Sequence, residues 1–595
     1  SNQRTILKLC SLVEGHPLAI ELVAGSVVGN IEKKIEETIE QGMGSFISAL
    51  TSHQNHHQTL YAVFEMSWVR LSPQEQSTLA RIAVFKGGFE EKTVKEIFGV
   101  NSHRLTSLLD KSLLRVSFEG RYDLHEIVRQ FSEQKLMECG EWESTVEALS
   151  HYYIAFLKVQ AHNFEAGEQS ACLDCIEDEL ENSRVAWKWI LQTERYSLLI
   201  DMIDVLYQYF IVRSRFTQGI EWLQEARAQV ENKPDQKLLY AMLQNRIGYL
   251  AYKTRLNELS QQSLSTSYDL LLTLNNDQEM ALCLVGLGQI ELRSHKKYQK
   301  ALEIASRSLQ LYQKLGDTSG QAHAAYLKGI VLNRMADYDA AEAALLEALR
   351  LSREKRNLRR MVSPLNLLGD IACIKGQYDK AEEFFKEGLE IAIKLGDRFN
   401  QGVLLNNLAT LFHYSKEYEM ERKVLLESLA ICEEIGDQDG IGLAYNNLSE
   451  VYMVKGEFEQ AIRYAEMGLQ IGQKIGEEWT IIVSLNNLGE AYLGFGKLNQ
   501  AMEHLGKATC LAYEIESLDL VARIAVNIGR VLFKEGKDQE ARDWLQAAIQ
   551  HSAIEYDHQQ IAIQVLKDHQ LELILEQVDE KLEKIVSIYC KRSHN

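Results

Sequence analysis

A five-residue motif of apolar, amide and small residues returns along this chain every 40 residues, and nothing else in the sequence constrains the fold as tightly. It reads Leu405-Asn406-Asn407-Leu408-Ala409, Tyr445-Asn446-Asn447-Leu448-Ser449 and Leu485-Asn486-Asn487-Leu488-Gly489. Looser copies are Leu365-Asn366-Leu367-Leu368-Gly369 and Ala525-Val526-Asn527-Ile528-Gly529. The closing small residue continues upstream at Gly329, Gly288 and Gly248, with one inserted residue expected near His295–Tyr298. Eight copies at one spacing require stacked supersecondary units, because a fixed period in this range is how solenoids are written in sequence.

Each unit reads as two helices. Leu485, Leu488, Gly489 and Tyr492 fall at i, i+3, i+4 and i+7, one apolar stripe of a helix. Gly494-Phe495-Gly496 then breaks the chain, and Ala501, Leu505 and Ala508 mark the buried face of a second helix. Gly489 and Ala501 let the two backbones approach where larger side chains would hold them apart. The pattern repeats as Gly329, Ala341, Leu345, Ala348 and as Gly369, Ala381, Phe385. Many units close on a glycine–acid pair: Gly316-Asp317, Gly396-Asp397, Gly436-Asp437 and Gly476-Glu477. The glycine suits the left-handed residue after a helix, and the acid can cap the next one.

This spacing of small, Tyr, Ala, Phe/Leu and Ala residues resembles the tetratricopeptide repeat, in a form with an extended second helix. The resemblance implies an all-α fold. A right-handed superhelical solenoid of eight repeats over residues 241–552 would be followed by capping helices over 553–595, expected at Gln559–Leu566 and Leu571–Tyr589. Asn366 and Asp370, Asn446 and Glu450, and Asn486 and Glu490 are i, i+4 pairs off the apolar stripe. In tetratricopeptide repeats that face lines the concave groove. Asn366, Asn406, Asn446 and Asn486 would then form a ladder able to bind the backbone of an extended peptide, with the acids favouring a cationic ligand. The competing reading is that the amides satisfy neighbouring backbone groups. A basic run, Arg353, Lys355, Arg356, Arg359 and Arg360, reads as a solvated turn or a partner patch.

The residues before the array read differently. Ser72-Pro73 with Glu75 forms a helix start, Asn101 caps a helix through Lys111, and Leu113–Phe118 and Arg121–Leu124 flank Glu119-Gly120 as a hairpin. Helices followed by a hairpin give a winged-helix outline over 57–140. The run His57-Gln58-Thr59-Leu60, Ser67-Trp68, Leu71-Ser72-Pro73 and Val84-Phe85-Lys86-Gly87-Gly88-Phe89 resembles the winged-helix domain of bacterial STAND regulators, the signalling ATPases that include NB-ARC proteins. Gly15-His16-Pro17-Leu18-Ala19-Ile20-Glu21-Leu22 resembles the segment closing their nucleotide-binding region, so residues 1–56 would be its end and a connector. In that family the proline lies against the nucleotide. The family's Met-His-Asp-like motif corresponds to Leu124-His125-Glu126, with Glu in place of Asp; its His contacts the β-phosphate of ADP. The resemblance therefore implies nucleotide contacts for Pro17 and His125 in an intact protein that binds ATP or ADP with Mg. Taken alone, each has a plainer reading, a helix start for Pro17 and a cap or packing His for His125. Glu181-Asn182-Ser183-Arg184-Val185-Ala186-Trp187-Lys188-Trp189 resembles the segment after the winged helix, making 141–240 a helical adaptor with a degenerate first repeat. Trp187, Tyr207, Tyr209 and Phe210 read as core.

What the chain lacks bounds its function. No G-x-x-x-x-G-K-[ST] loop occurs, so nothing here can cradle a triphosphate, and no nucleophile elbow or metal-ligand spacing is present. No catalytic residue, metal or cofactor is expected in this chain. The chain opens on Ser1 rather than Met, which reads as a fragment beginning after the ATPase core. The net charge of −20 argues against a nonspecific nucleic-acid binder, which needs a cationic footprint. No apolar run approaches a membrane span. Nine cysteines are scattered singly except for Cys172-Leu173-Asp174-Cys175, read as ordinary thiols in a reducing cytoplasm. The His53, His56, His57 group lies in a polar stretch without acids and reads as loop.

The expected function is the ligand-sensing, autoinhibitory part of a STAND ATPase. Its partners would be a peptide or protein in the groove and upstream ATPase and effector domains, with oligomerisation only through the ATPase core. The alternatives are a stand-alone scaffold and a winged-helix DNA-binding regulator.

Overall fold

The computed structural model describes residues 64–65, 67–118, 120–294, 297–551, 556–569 and 579–593. Pro17, the connector and the His53–His57 group lie outside the described residues. The chain divides into two compact units. The first comprises Ser1–Phe210, Thr217–Thr254 and Ser265–Leu274, the second Ile211–Phe216, Arg255–Leu264 and Asn275–Asn595.

The first unit opens with α1 (Pro73–Ile82), α2 (Glu91–Phe98) and α3 (Ser102–Asp110), then β1 (Arg115–Val116), β2 (Tyr122–Asp123) and α4 (Glu126–Glu138). The start of α1 is a capping box: the Glu75 amide donates to Ser72 Oγ at 3.3 Å and the Ser72 amide to Glu75 Oε2 at 2.8 Å. Lys111 and Ser107 also donate to Glu75, each at 2.5 Å. Burial works to raise this carboxyl, but those bonds and the cap outweigh it and hold it down to about 2. A depressed carboxyl contributes stability above its unfolded value and loses it as pH falls toward the folded one. The cap around α1 is therefore expected to loosen between about pH 4.5 and 2, read by amide exchange at Glu75 and Gln76. Glu75→Gln should abolish that pH dependence; an unchanged profile would refute the assignment.

The hairpin is antiparallel, with Arg115 opposite Asp123 and Val116 opposite Tyr122. Phe89 joins it through two 2.8 Å backbone bonds with Tyr122. Phe85, Phe89, Leu79, Ile82 and Leu105 fill the core beneath. The helices Trp142–Glu165, Gln169–Asp178 and Leu180–Gln192 follow, and Trp187, Tyr207, Tyr209 and Phe210 are all buried.

The second unit is a run of helix pairs: Asp277–Ser294 with Tyr298–Leu315, Thr318–Arg334 with Tyr338–Glu354, Leu358–Ile374 with Tyr378–Leu395, Arg398–Tyr414 with Tyr418–Ile435, Gln438–Val454 with Phe458–Ile475, Glu478–Gly494 with Leu498–Glu514, and Leu518–Lys534 with Asp538–Gln550. Gly396 sits at φ 62° after its helix, a left-handed conformation that costs glycine little. Asp397 then caps the next helix by accepting from the Asn400 amide at 3.1 Å, as Asp317 does from Gly320 at 2.9 Å. Pro364 sits inside the helix Leu358–Ile374 and cannot donate to the Arg360 carbonyl; the Ser352 hydroxyl lies 3.3 Å from that oxygen, but its one proton has a nearer acceptor in Ala348 O at 2.7 Å.

In four of the pairs the small residue is a glycine that meets a partner sixteen residues on, whereas Gly288 lies nearest Leu327 of the following pair. Glycine at 329, 489 and 529 faces Leu345, Leu505 and Leu545, and Gly369 faces Phe385; a Cβ at any of the four would collide with that side chain. The sequence varies both members of the pair: Ala409 goes with Leu425, and Ser449, whose hydroxyl donates to Ala461 O at 2.8 Å, with Ala465. Past the array lie Tyr556–Asp568 and Asp579–Ser593, the latter folded back on Leu498–Glu514. A disulfide joins Cys510 to Cys590 across that contact, Cα atoms 5.5 Å apart. This corrects the reading of every cysteine as a lone thiol: the partners are 80 residues apart, a pairing that sequence spacing does not reveal. Burial pushes Cys172 up to about 11 and raises Cys175, so neither is an activated thiolate.

Candidate functional site: the amide ladder and the capped helix at His125

The Asn pairs lie on the first helix of each unit, one amide of each pair toward the preceding unit and one toward the following. Asn407 Nδ2 donates to Asn366 Oδ1 at 2.9 Å, Asn447 Nδ2 to Asn406 Oδ1 at 2.9 Å, and Asn527 Nδ2 to Asn486 Oδ1 at 3.1 Å. Asn487 Nδ2 donates to the Asn446 backbone carbonyl at 3.1 Å, while Asn446 Oδ1 accepts from Ser484 at 2.7 Å. The expected ladder thus exists, but its side-chain carbonyls are taken between repeats. Asn406, Asn446 and Asn486 are 7%, 0% and 2% exposed, whereas Asn366 is half-buried. The second amide of each pair, at 407, 447 and 487, and Asn527 at the same register are the donors that sequence reasoning missed. The doubled Asn-Asn was the signal for the first three. The Nδ2 groups of Asn446 and Asn486 are buried without a hydrogen-bond partner among the described residues, an arrangement that costs free energy.

The acids are less buried. Asp370, Glu450 and Glu490 occupy the same position in their repeats and are half-buried. Arg523 reaches Glu450 at 2.6 Å, and Arg530 reaches Glu490 at 2.7 Å. Asp370 accepts from Asn407 Nδ2 at 3.0 Å. The basic run near 355 is partly spent locally, Arg353 on Glu387 and Arg360 on Ser319.

In the first unit, His125 is the N-cap of α4. Its Nδ1 accepts from the Ile127 amide at 3.4 Å, which leaves the ring proton on Nε2 in the neutral tautomer. Arg129, 3% exposed, ties down the same turn by bonding Asp123 at 2.7 Å, Glu126 at 3.3 Å and the Leu124 carbonyl at 3.3 Å. A helix N-terminus carries partial positive charge; here His125 caps it, and the carboxylates of Asp123 and Glu126 stand at the same turn, bonded to Arg129. Glu126 in place of Asp leaves the cap intact, since the cap comes from His125.

Arg121, Glu179, Tyr153 and Asn182 form a buried polar cluster behind the hairpin. Glu179 accepts from Arg121 at 2.7 Å, from Tyr153 at 2.6 Å and from Asn182 at 2.7 Å. Asn182 Oδ1 accepts from the Lys86 amide at 2.9 Å and its Nδ2 donates to the Gly88 carbonyl at 2.8 Å. The Lys86–Gly88 turn is thereby held to the helix Leu180–Gln192. Burial first, then the charge of Glu179, holds the Tyr153 hydroxyl far above its usual value, so it stays a donor. Lys111, the residue that ends α3, is engaged by Glu75.

Among the described residues no group of His, Cys, Asp and Glu is arranged to hold a metal, and no helix is long and apolar enough to cross a membrane.

The tetratricopeptide repeat family model matches residues 277–354, 360–434 and 440–512. The second unit is accordingly a solenoid of tandem tetratricopeptide repeats in an all-α fold. A crystal structure of a STAND protein with a tetratricopeptide repeat sensor from Pyrococcus horikoshii is similar over 90% of this chain and 71% of its own, at TM-score 0.50 and 17% identity. A Mycobacterium tuberculosis protein named as an HTH-type transcriptional regulator is 25% identical over 231 residues, 37% of this chain. An uncharacterized protein of the same organism is 30% identical over 154 residues, 24% of this chain. The chain spans 26% and 39% of the lengths of these two relatives.

Proposed function

We propose that this chain is the ligand-sensing and autoinhibitory part of a STAND-type ATPase switch. Residues 57–140 would act as its winged helix, 141–240 as adaptor and the repeat groove as receptor for a peptide or protein. One observation carries the reading: a His-capped helix N-terminus stands directly behind the hairpin, in the same chain as a tetratricopeptide solenoid. The likeness of fold to the archaeal STAND protein supports it. His125 Nε2–H would donate to the β-phosphate of ADP, with Arg129 holding the turn and the α4 N-terminus adding partial positive charge. Pro17 would lie against the same nucleotide. ATP or ADP with Mg would be held by an upstream P-loop core and would supply the free-energy difference between closed and open states. A groove ligand shifts that balance only by binding the open state more tightly.

A DNA-binding reading of the first unit has less to stand on. Of the two cations at α3, Arg104 and Lys111, the second is already bonded to Glu75. A scaffold that needs no nucleotide would leave His125 a structural residue, the cap of α4.

Two measurements test the switch. The coding region upstream of Ser1 is expected to encode a P-loop; a gene without one would overturn the reading. In the protein carrying that core, His125→Ala is expected to weaken ADP binding about tenfold, roughly 1.4 kcal/mol, and to raise basal signalling. Unchanged ADP affinity would count against the nucleotide role of His125.

A further inference from the structure

Three carboxylates occupy one register of the groove, and the array treats one of them differently. Glu450 and Glu490 each have an arginine, Arg523 and Arg530. Asp370 has no ion pair among the described residues; it accepts from the Asn407 amide at 3.0 Å, a donor shared with Asn366. It is half-buried, and burial pushes its carboxyl up to about 7 against the pull of Arg334. A half-buried acid without the ion pair that its equivalents make is complementary to a cation.

Beside it lies exposed apolar surface. Ile374 is one helical turn beyond Asp370 on the same face and 56% exposed. On the facing helix Arg398–Tyr414, Tyr414 stands seven residues after Asn407, the Asp370 partner. Two turns place the two on one stripe about 10 Å apart. Tyr414, 44% exposed, stacks on Tyr378, 40% exposed, with centroids 5.8 Å apart and planes at 19°. In an extended chain that separation is about three residues.

We infer that these two repeats form a subsite for an extended peptide, in which Asp370 takes a lysine or arginine and the ledge of Ile374, Tyr378 and Tyr414 takes an apolar side chain about three residues away. The inference rests on the groove reading proposed above. Charge complementarity selects the occupant: Arg334 acts on Asp370 through its charge without an ion pair among the described residues, so a basic peptide can make the direct contact, and the exposed rings offer cation–π and apolar contact to the neighbouring positions.

The test is affinity selection of random decapeptides displayed on phage, using the whole 595-residue chain and two variants. Wild-type selections are expected to enrich a basic residue spaced from an apolar one. Asp370→Asn, which keeps the bond from Asn407, should lose the basic preference and bind a selected synthetic peptide at least tenfold more weakly. Tyr414→Ala should keep the basic preference and lose the apolar one. Thermal melting of both variants within a few degrees of wild type certifies the fold. Peptides selected without a basic preference, or bound equally by Asp370→Asn, overturn this subsite and leave the groove reading standing. A library that yields no specific binder to any of the three proteins overturns the groove reading itself.

Discussion

Gly369→Leu is expected to cost about 3 kcal/mol, the upper range for overfilling a packed core, and to unfold the repeat formed by Leu358–Ile374 and Tyr378–Leu395. A Cβ at this position already collides with the Phe385 ring, and the two helices cannot separate without losing Ala381, which is wholly buried between them. The chain contains its own control. Position 449 carries Ser opposite Ala465, where 369 carries Gly opposite Phe385, so the two positions share one volume divided differently. Gly369→Ser alone should therefore be destabilising, and adding Phe385→Ala should recover part of the loss, a coupling of roughly 1 kcal/mol or more for residues in contact. Because arrays of repeats unfold in pieces, the measurement is amide exchange across residues 358–395 beside the whole-chain melt. Additive effects of the two substitutions would show that the pair does not share the space.

The second large effect lies in the first unit. Glu179→Ala is expected to destabilise it by about 4 kcal/mol, because truncating one partner of a buried ion pair strands the other. Arg121 would be left with the Gly87 and Asp178 carbonyls at 3.2 and 3.1 Å and only the charge of Asp178, to which it makes no ion pair among the described residues, and Tyr153 and Asn182 would each lose an acceptor. Glu179→Gln keeps an acceptor and should cost clearly less. Exchange should rise first at Lys86 and Gly87, whose amides bond Asn182 at 2.9 and 3.3 Å. A melt unchanged by Glu179→Ala would mean that the cluster is decoration. In the switch reading the same cluster fixes the hairpin turn to the adaptor, so its loss should also loosen the turn behind His125.

Much of this architecture was legible before any coordinates. The 40-residue period, the glycine–acid joints and the small residues between paired helices are local or periodic features, and helix geometry converts them directly into stacked pairs. Ser72, Asn101 and the hairpin around Gly120 were equally readable, since caps and turns are satisfied by residues three or four positions away. The candidate site was legible in part. The Asn residues and the acids are legible at their register, with a ligand-binding ladder and amides that satisfy their neighbours both left open; the bonds that Asn407, Asn447, Asn487 and Asn527 make are not, because each partner lies in the neighbouring repeat. Pairing of Glu450 with Arg523, 73 residues on, was invisible for the same reason.

The sequence by itself determined the repeat unit, its period and the helical pairs, because those depend on contacts within one period. Tertiary structure alone decided which polar groups stay available. It spent the amide carbonyls between repeats, paired Glu450 and Glu490 with arginines, left Asp370 without an ion pair among the described residues and tied Cys510 to Cys590. The physical reason is that a hydrogen bond or ion pair needs a second partner within about 3 Å, and in a superhelix that partner arrives from a neighbouring turn of the chain.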